Sequence, residues 1–213
     1  MASPLCSEVS FGSYLVYSPK GTSDVSRRSR ELRDAVKAGR AATLRNIAEH
    51  IARNLESSGL AAILGPDVTL VPCPRSSPLV EGALWPGKLM AEELVRVGLG
   101  RHVLLSLERV EAVPKSAFAA RGNRPNAFKH YETIRATADL AVMQRVTIVD
   151  DFVTKGNTLL GAATRLAEVY PRVRLGVFAA VRTKGRQPEV DALVEPCVGR
   201  IWERSAGEAD RDP

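Results

Sequence analysis

The sequence has no run of apolar residues approaching the roughly 20 that a membrane-spanning helix requires, and its longest apolar stretches are broken by Arg, Pro or Gly. A membrane-embedded reading is thereby excluded and a soluble chain is expected. Residues 1–11 lack the basic start and long apolar core of a secretory leader, which points to the cytoplasm. Cysteine is scarce: Cys6, Cys73 and Cys197 lie far apart and none belongs to a Cys-x-x-Cys pair, so neither a disulfide framework nor a zinc ribbon is indicated. No His/Cys cluster has metal-ligand spacing, and there is no internal repeat or low-complexity tract.

What is present suits one domain with a sizeable core. Of 213 residues, 45% are hydrophobic and 25% charged, richer in apolar side chains than a disordered chain would be. The net charge of +6 raises affinity for anions in general, whether nucleic acid, phosphorylated metabolites or acidic partners, and selects none of them.

Apolar periodicity divides the chain. Ser13-Tyr-Leu-Val-Tyr17 reads as a strand or edge hairpin closed by a turn at Ser18-Pro-Lys-Gly21. A basic helical region follows, with Arg27, Arg28, Arg30, Arg33, Lys37, Arg40 and Arg45. Leu44, Ile47, Ala48, Ile51, Ala52 and Leu55 then mark the buried face of an amphipathic helix. Val68-Thr-Leu-Val-Pro72 predicts a buried strand, residues 88–97 a helix, and Val103-Leu-Leu-Ser-Leu107 another strand. Residues 108–135 form a long polar, basic segment with Pro114, Gly122 and Pro125, of the kind that is usually functional or mobile. Strands at residues 146–149 and 173–181, with a helix over residues 159–170 between them, complete an alternating α/β pattern with a largely parallel sheet. A short edge strand is expected over residues 198–202 and a frayed tail from Glu203.

The densest signal is Val146-Thr-Ile-Val-Asp-Asp-Phe-Val-Thr-Lys-Gly-Asn-Thr158. A buried parallel strand that ends in two carboxylates places them at the carboxyl edge of the sheet, where open α/β folds bind ligands. Thr154, Lys155, Gly156, Asn157 and Thr158 lead into a helix, so backbone N–H groups, hydroxyls and the positive helix end converge on a point suited to a phosphate monoester. Asp150 and Asp151 would repel that anion directly. They are better suited to accept hydrogen bonds from neutral hydroxyls or to engage a divalent cation. A phosphorylated sugar meets both demands. An acidic turn followed by an ordinary helix cap is the alternative.

This segment resembles the phosphoribosyl pyrophosphate (PRPP) signature of type I phosphoribosyltransferases. The resemblance implies that Asp150 and Asp151 hold the ribose diol and that residues 154–158 hold the 5′-phosphate, with Lys155 standing where the family usually has Thr or Ser. The order of Lys37-Ala-Gly39, Val71-Pro-Cys-Pro74, Leu107-Glu-Arg109 and residues 121–128 is similar to the ComF-like, competence-associated branch. That branch's cysteine-rich zinc element and its Gly-Phe-Asn-Gln element have no counterpart here, and its Arg-x-Arg reads Arg109-Val-Glu111. By the same resemblance the fold is a type I phosphoribosyltransferase α/β fold, a mostly parallel sheet flanked by helices with a mobile hood loop. Residues 1–64 are expected as an N-terminal strand and helix attachment, 65–184 as the core, and 185–213 as edge strand and tail.

Breaking the bond between ribose C1 and pyrophosphate requires stabilisation of a highly charged leaving group, by magnesium and by cations. The resemblance places Arg75, with the amides of Ser76 and Ser77, against pyrophosphate. Arg109, Lys115, Arg121, Arg124 and Lys129 are the hood cations, of which Arg109 and Lys115 are the catalytic candidates. Magnesium is expected to arrive with PRPP. Gly82-Ala-Leu-Trp-Pro-Gly-Lys88 has P-loop spacing, but Leu89 replaces the hydroxyl residue that would bind magnesium. Cys73 as a nucleophile paired with His50, His102 or His130 has no supporting motif. Two functions follow: transfer of phosphoribosyl from PRPP to a nitrogen base, or a non-catalytic PRPP or nucleotide-binding module associated with DNA through the basic N-terminal region. The acceptor base and self-association into homo-oligomers are left open.

Overall fold

The computed structural model describes residues 4–114, 124–139, 143–185, 189–205 and 207–212. Its strands are β1 (Glu8–Tyr17), β2 (Val68–Pro72), β3 (His102–Val103), β4 (Leu107–Arg109), β5 (Ile134–Ala136), β6 (Arg145–Val153), β7 (Arg174–Thr183), β8 (Val194–Ser205) and β9 (Glu208–Asp212). The α-helices are α1 (Asp24–Lys37), α2 (Ala41–Arg53), α3 (Pro86–Arg96), α4 (Ala127–Thr133) and α5 (Asn157–Val169). Seven strands form one sheet in the order β3-β2-β6-β7-β1-β8-β9. The first five run parallel, and β8 and β9 add an antiparallel hairpin. This mostly parallel sheet with helices on both faces is the α/β architecture that the resemblance implies.

The central strands are apolar on both sides because both sides are covered. On one face Val71, Ile148, Val177 and Ala179 pack with Leu159, Ala163 and Leu166 of α5. On the other, Leu70, Val149, Phe178 and Ala180 pack with Val36, Ile47, Ile51 and Met90 from α1, α2 and α3. Among the described residues no helix is long and apolar enough to cross a membrane.

Several expectations are corrected. β1 is an interior strand rather than part of an attachment: Phe11 pairs with Val177 on one side and with Gly199 on the other. The described residues of 4–64 share their apolar clusters with the expected core of 65–184. The frayed tail is β9, with Ala209 buried and Trp202 paired to Asp210, so β8 is longer than expected and is not the edge. The strand expected over residues 103–107 is split between two sheets, β3 on the main one and β4 on a ribbon with β5. β6 does not stop at its carboxylates. Asp150 and Phe152 still pair with Ala179 and Val181, since backbone pairing continues wherever the neighbouring strand does, whatever the side chains. The connection to α5 therefore shrinks to residues 154–156.

Candidate phosphoribosyl site

The β6–α5 turn is tight because Gly156 takes a left-handed conformation, φ 98°, and because any Cβ there would stand 2.7 Å from Ile201 Cδ1. A side chain at this position is strained on both counts. No side chain caps the first turn of α5, so the N–H groups of residues 157–159 remain at the helix start for an external acceptor. The side chains of the loop are largely committed elsewhere. Asn157 Oδ1 accepts from the Ala209 amide at 2.7 Å and its Nδ2 donates to the Pro125 carbonyl. Lys155 lies 3.4 Å from Glu208, and the Thr154 carbonyl accepts from Arg211 Nε at 2.7 Å. The hairpin β8–β9 thus braces the loop, a role for Arg211 and Ala209 that a polar C-terminal sequence gave no means of reading.

Asp150 and Asp151 sit half-buried at the carboxyl edge of β6, and the Asp151 amide donates to Asp150 Oδ1 at 2.9 Å. Burial, followed by the charge of Asp151, pushes the Asp150 carboxyl well above the usual carboxylate range, with Lys37 opposing. Lys37, at the end of α1, lies 4.8 Å from the centre of the Phe152 ring. The adjoining Cys73 thiol is raised first by its own burial and then by Asp150.

The loop after β2 carries Arg75, Ser76 and Ser77, all half-buried. Its backbone is held from behind: Cys73 N–H donates to the Val149 carbonyl at 2.8 Å, Val113 N–H to the Ser76 carbonyl at 2.8 Å, and Arg109 Nε to the Arg75 carbonyl at 2.8 Å. Trp85 Nε1 donates to the Cys73 carbonyl at 2.8 Å. Arg109, expected to reach over the ligand, is only 2% exposed. Its guanidinium also donates to Thr133 Oγ1 at 2.6 Å and to His130 Nδ1 at 3.1 Å. It is a buried support of the loop. Burial lowers its pKa, with Cys73 and Asp150 opposing.

Of the remaining hood cations, Lys129 pairs with Glu111 at 3.1 Å and Arg124 is exposed. Lys115 and Arg121 lie outside the described residues. The basic N-terminal region is partly used internally: Arg27 pairs with Asp24, Arg30 donates to the Gly21 carbonyl at 2.8 Å, and Arg33 stacks 4.8 Å from the Tyr17 ring centre. His130, around which the sequence shows no supporting motif, links the β6–α5 turn to Arg109 from the α4 side. Its Nε2 lies 3.2 Å from Thr158 Oγ1.

The structure therefore gathers Asp150, Asp151, the 154–158 turn and the Arg75–Ser77 loop at one edge of the sheet. A metal would find two adjacent carboxylates here and no third ligand, since the described residues contain no group of three or more metal-binding side chains. That donor set fits magnesium carried in with a pyrophosphate, which needs only one or two protein carboxylates.

No curated protein matches the chain. The family model described as phosphoribosyl transferase domain matches residues 82–205, more than half of the sequence and inclusive of β6, its two acids and the turn into α5. The chain belongs to the phosphoribosyl transferase domain family.

Proposed function

We propose that the protein binds PRPP with magnesium and transfers its phosphoribosyl group to a nitrogen base. The observation that carries this is the β6–α5 turn, where two adjacent carboxylates stand beside an uncapped helix start within the matched domain. The amides of residues 157–159 and the Thr158 hydroxyl hold the 5′-phosphate. Asp150 and Asp151 accept hydrogen bonds from the ribose hydroxyls and fix the ring. Arg75 and the amides of Ser76 and Ser77 face the pyrophosphate. Asp150 and Asp151 would be the protein groups that help hold magnesium brought in with PRPP, and the ion, when bound, would supply neutralisation of charge on the leaving group. The C1–O bond to pyrophosphate breaks, the C1–N bond to the base forms, and pyrophosphate departs with the electron pair of the broken bond. The order of motifs from Lys37 to Leu107 supports the competence-associated branch, and a cytoplasmic setting suits this chemistry.

The buried position of Arg109 favours one alternative. With that cation turned away from the leaving group, a PRPP-binding module without turnover is the second reading. Calorimetric titration with PRPP and magnesium, joined to pyrophosphate release over a panel of bases, separates the two. Binding with release that Asp150→Asn and Asp151→Asn abolish supports the transferase. Binding without release for any base supports the module, and absence of binding overturns both.

A further inference from the structure

Helix α4 lies against α5 at Gly161, where an added Cβ would stand 2.6 Å from the Ala127 carbonyl oxygen and 2.9 Å from His130 Cβ. Only glycine permits so close an approach, and the approach brings the His130 ring to Thr158. The imidazole is 3% exposed and has a polar neighbour on each nitrogen, Arg109 at Nδ1 (3.1 Å) and Thr158 Oγ1 at Nε2 (3.2 Å).

The roles in this chain are fixed by chemistry. A guanidinium has donors only, so Nδ1 must accept from Arg109 and carry no proton. The neutral ring then carries its proton on Nε2 and donates it to Thr158 Oγ1. With an oxygen lone pair so engaged, the Thr158 hydroxyl hydrogen is left to point away from His130. The 5′-phosphate of the proposed ligand has acceptors only. A hydroxyl fixed as a donor is the form it needs, whereas a freely turning one spends part of its time presenting lone pairs. Burial and the charge of Arg109 hold the imidazole pKa down to about 3, so the ring stays neutral at working pH and the direction of donation is constant.

We propose that His130 is a positioning residue that fixes the Thr158 hydroxyl as a hydrogen-bond donor towards the 5′-phosphate of the ligand. The inference rests on the phosphoribosyl reading of this turn. Arg109 acts one step further back, setting the tautomer of His130 while it supports the Arg75 loop.

The test uses the full chain and two probes, ribose 5-phosphate and PRPP with magnesium, titrated calorimetrically. His130→Leu removes acceptor and donor together and is expected to weaken ribose 5-phosphate by about tenfold, as loss of one hydrogen bond to a charged group does. His130→Gln keeps an acceptor and a donor and should recover most of that loss. In a Thr158→Val background, His130→Leu should cost less than about twofold, because the hydroxyl it orients is gone. Additive losses in the double variant, or a Gln variant as weak as the Leu variant, overturn the proposal. Nitrogen-15 NMR of the histidines in the unmodified protein gives a readout independent of how the variants fold. The expected signal is a neutral ring protonated at Nε2, and protonation at Nδ1 overturns the proposal. If the unmodified protein binds neither probe, the phosphoribosyl reading itself falls and takes this inference with it. If it binds both and the variant pattern is absent, only the inference falls.

Discussion

The turn between β6 and α5 and the loop after β2 leave the carboxyl ends of two paired strands and are held in place differently. In the first, the residues that would meet the ligand are consecutive, and a left-handed Gly156 and an uncapped helix start shape their backbone, which Arg211 and Ala209 of β9 then brace. In the second, the backbone of Arg75–Ser77 is held by groups distant in sequence, Arg109 and Val113 above all. A site built from local backbone geometry tolerates changes in its side chains. One held from behind depends on buried groups that need never touch the ligand.

The largest expected effect lies between the two loops. Asp151→Asn should lower pyrophosphate release from PRPP on the order of a thousandfold, in line with loss of a preorganised electrostatic contact. Asp150→Asn should do the same while leaving the melting temperature unchanged or higher, since burial and Asp151 already disfavour a charge at this position. Next is Arg109→Met, which strips donors from the Arg75 carbonyl, Thr133 and His130. A loss of about 3 kcal/mol in urea unfolding is expected, with pyrophosphate affinity falling more than ribose 5-phosphate affinity. Equal losses for both ligands would break the distinction between the loops. Gly156→Ala should cost about 2 kcal/mol through backbone strain and the clash with Ile201, and should weaken ribose 5-phosphate selectively.

Acid stability supplies a control that touches neither loop directly. Glu189 accepts from the amides of Thr22 and Ser23 and from the Ser26 hydroxyl, and these bonds lower its pKa to about 2. The folded protein holds this carboxylate more strongly than the unfolded chain does. Its contribution is therefore complete above pH 4.5 and lost as the pH falls towards 2. His130, also lowered, costs stability across a higher window, from about pH 6.5 down to about 3, as the unfolded chain takes up the proton first. Melting temperature against pH for Glu189→Gln should flatten only in the lower window. The smallest effect is expected for Lys155→Thr, which exchanges the exposed cation for a neutral hydroxyl residue. Its ion pair with Glu208 is largely exposed, so stability should change by less than about 1 kcal/mol and PRPP affinity by no more than about threefold.

The same contrast explains what could be read from the sequence. The acid pair and the 154–158 turn are legible because thirteen neighbouring residues carry strand, charge, turn and helix in order. Arg109 is visible as a cation, but nothing local distinguishes a side chain that reaches into the cleft from one that turns inward to Arg75, Thr133 and His130. His130 and Gly161 matter only because α4 lies on α5, a contact between segments about thirty residues apart. β9 was hidden by composition. Glu-Ala-Asp-Arg-Asp has little strand propensity and is ordered by pairing with β8 and by the bond from Ala209 to Asn157.

The place of β1 has a consequence for how the chain reaches this state. Ser10 pairs with Gly176 on one side and Arg200 on the other, so both neighbours of an interior strand emerge from the ribosome long after it does. At synthesis rates of about 5–20 residues per second, β1 waits on the order of ten seconds or more with two open edges. Its apolar Val9, Phe11, Leu15 and Val16 remain available to wrong partners throughout that time. Refolding limited by such distant pairing is slow, and aggregation during expression, more than weakness of the finished fold, is the hazard this topology carries.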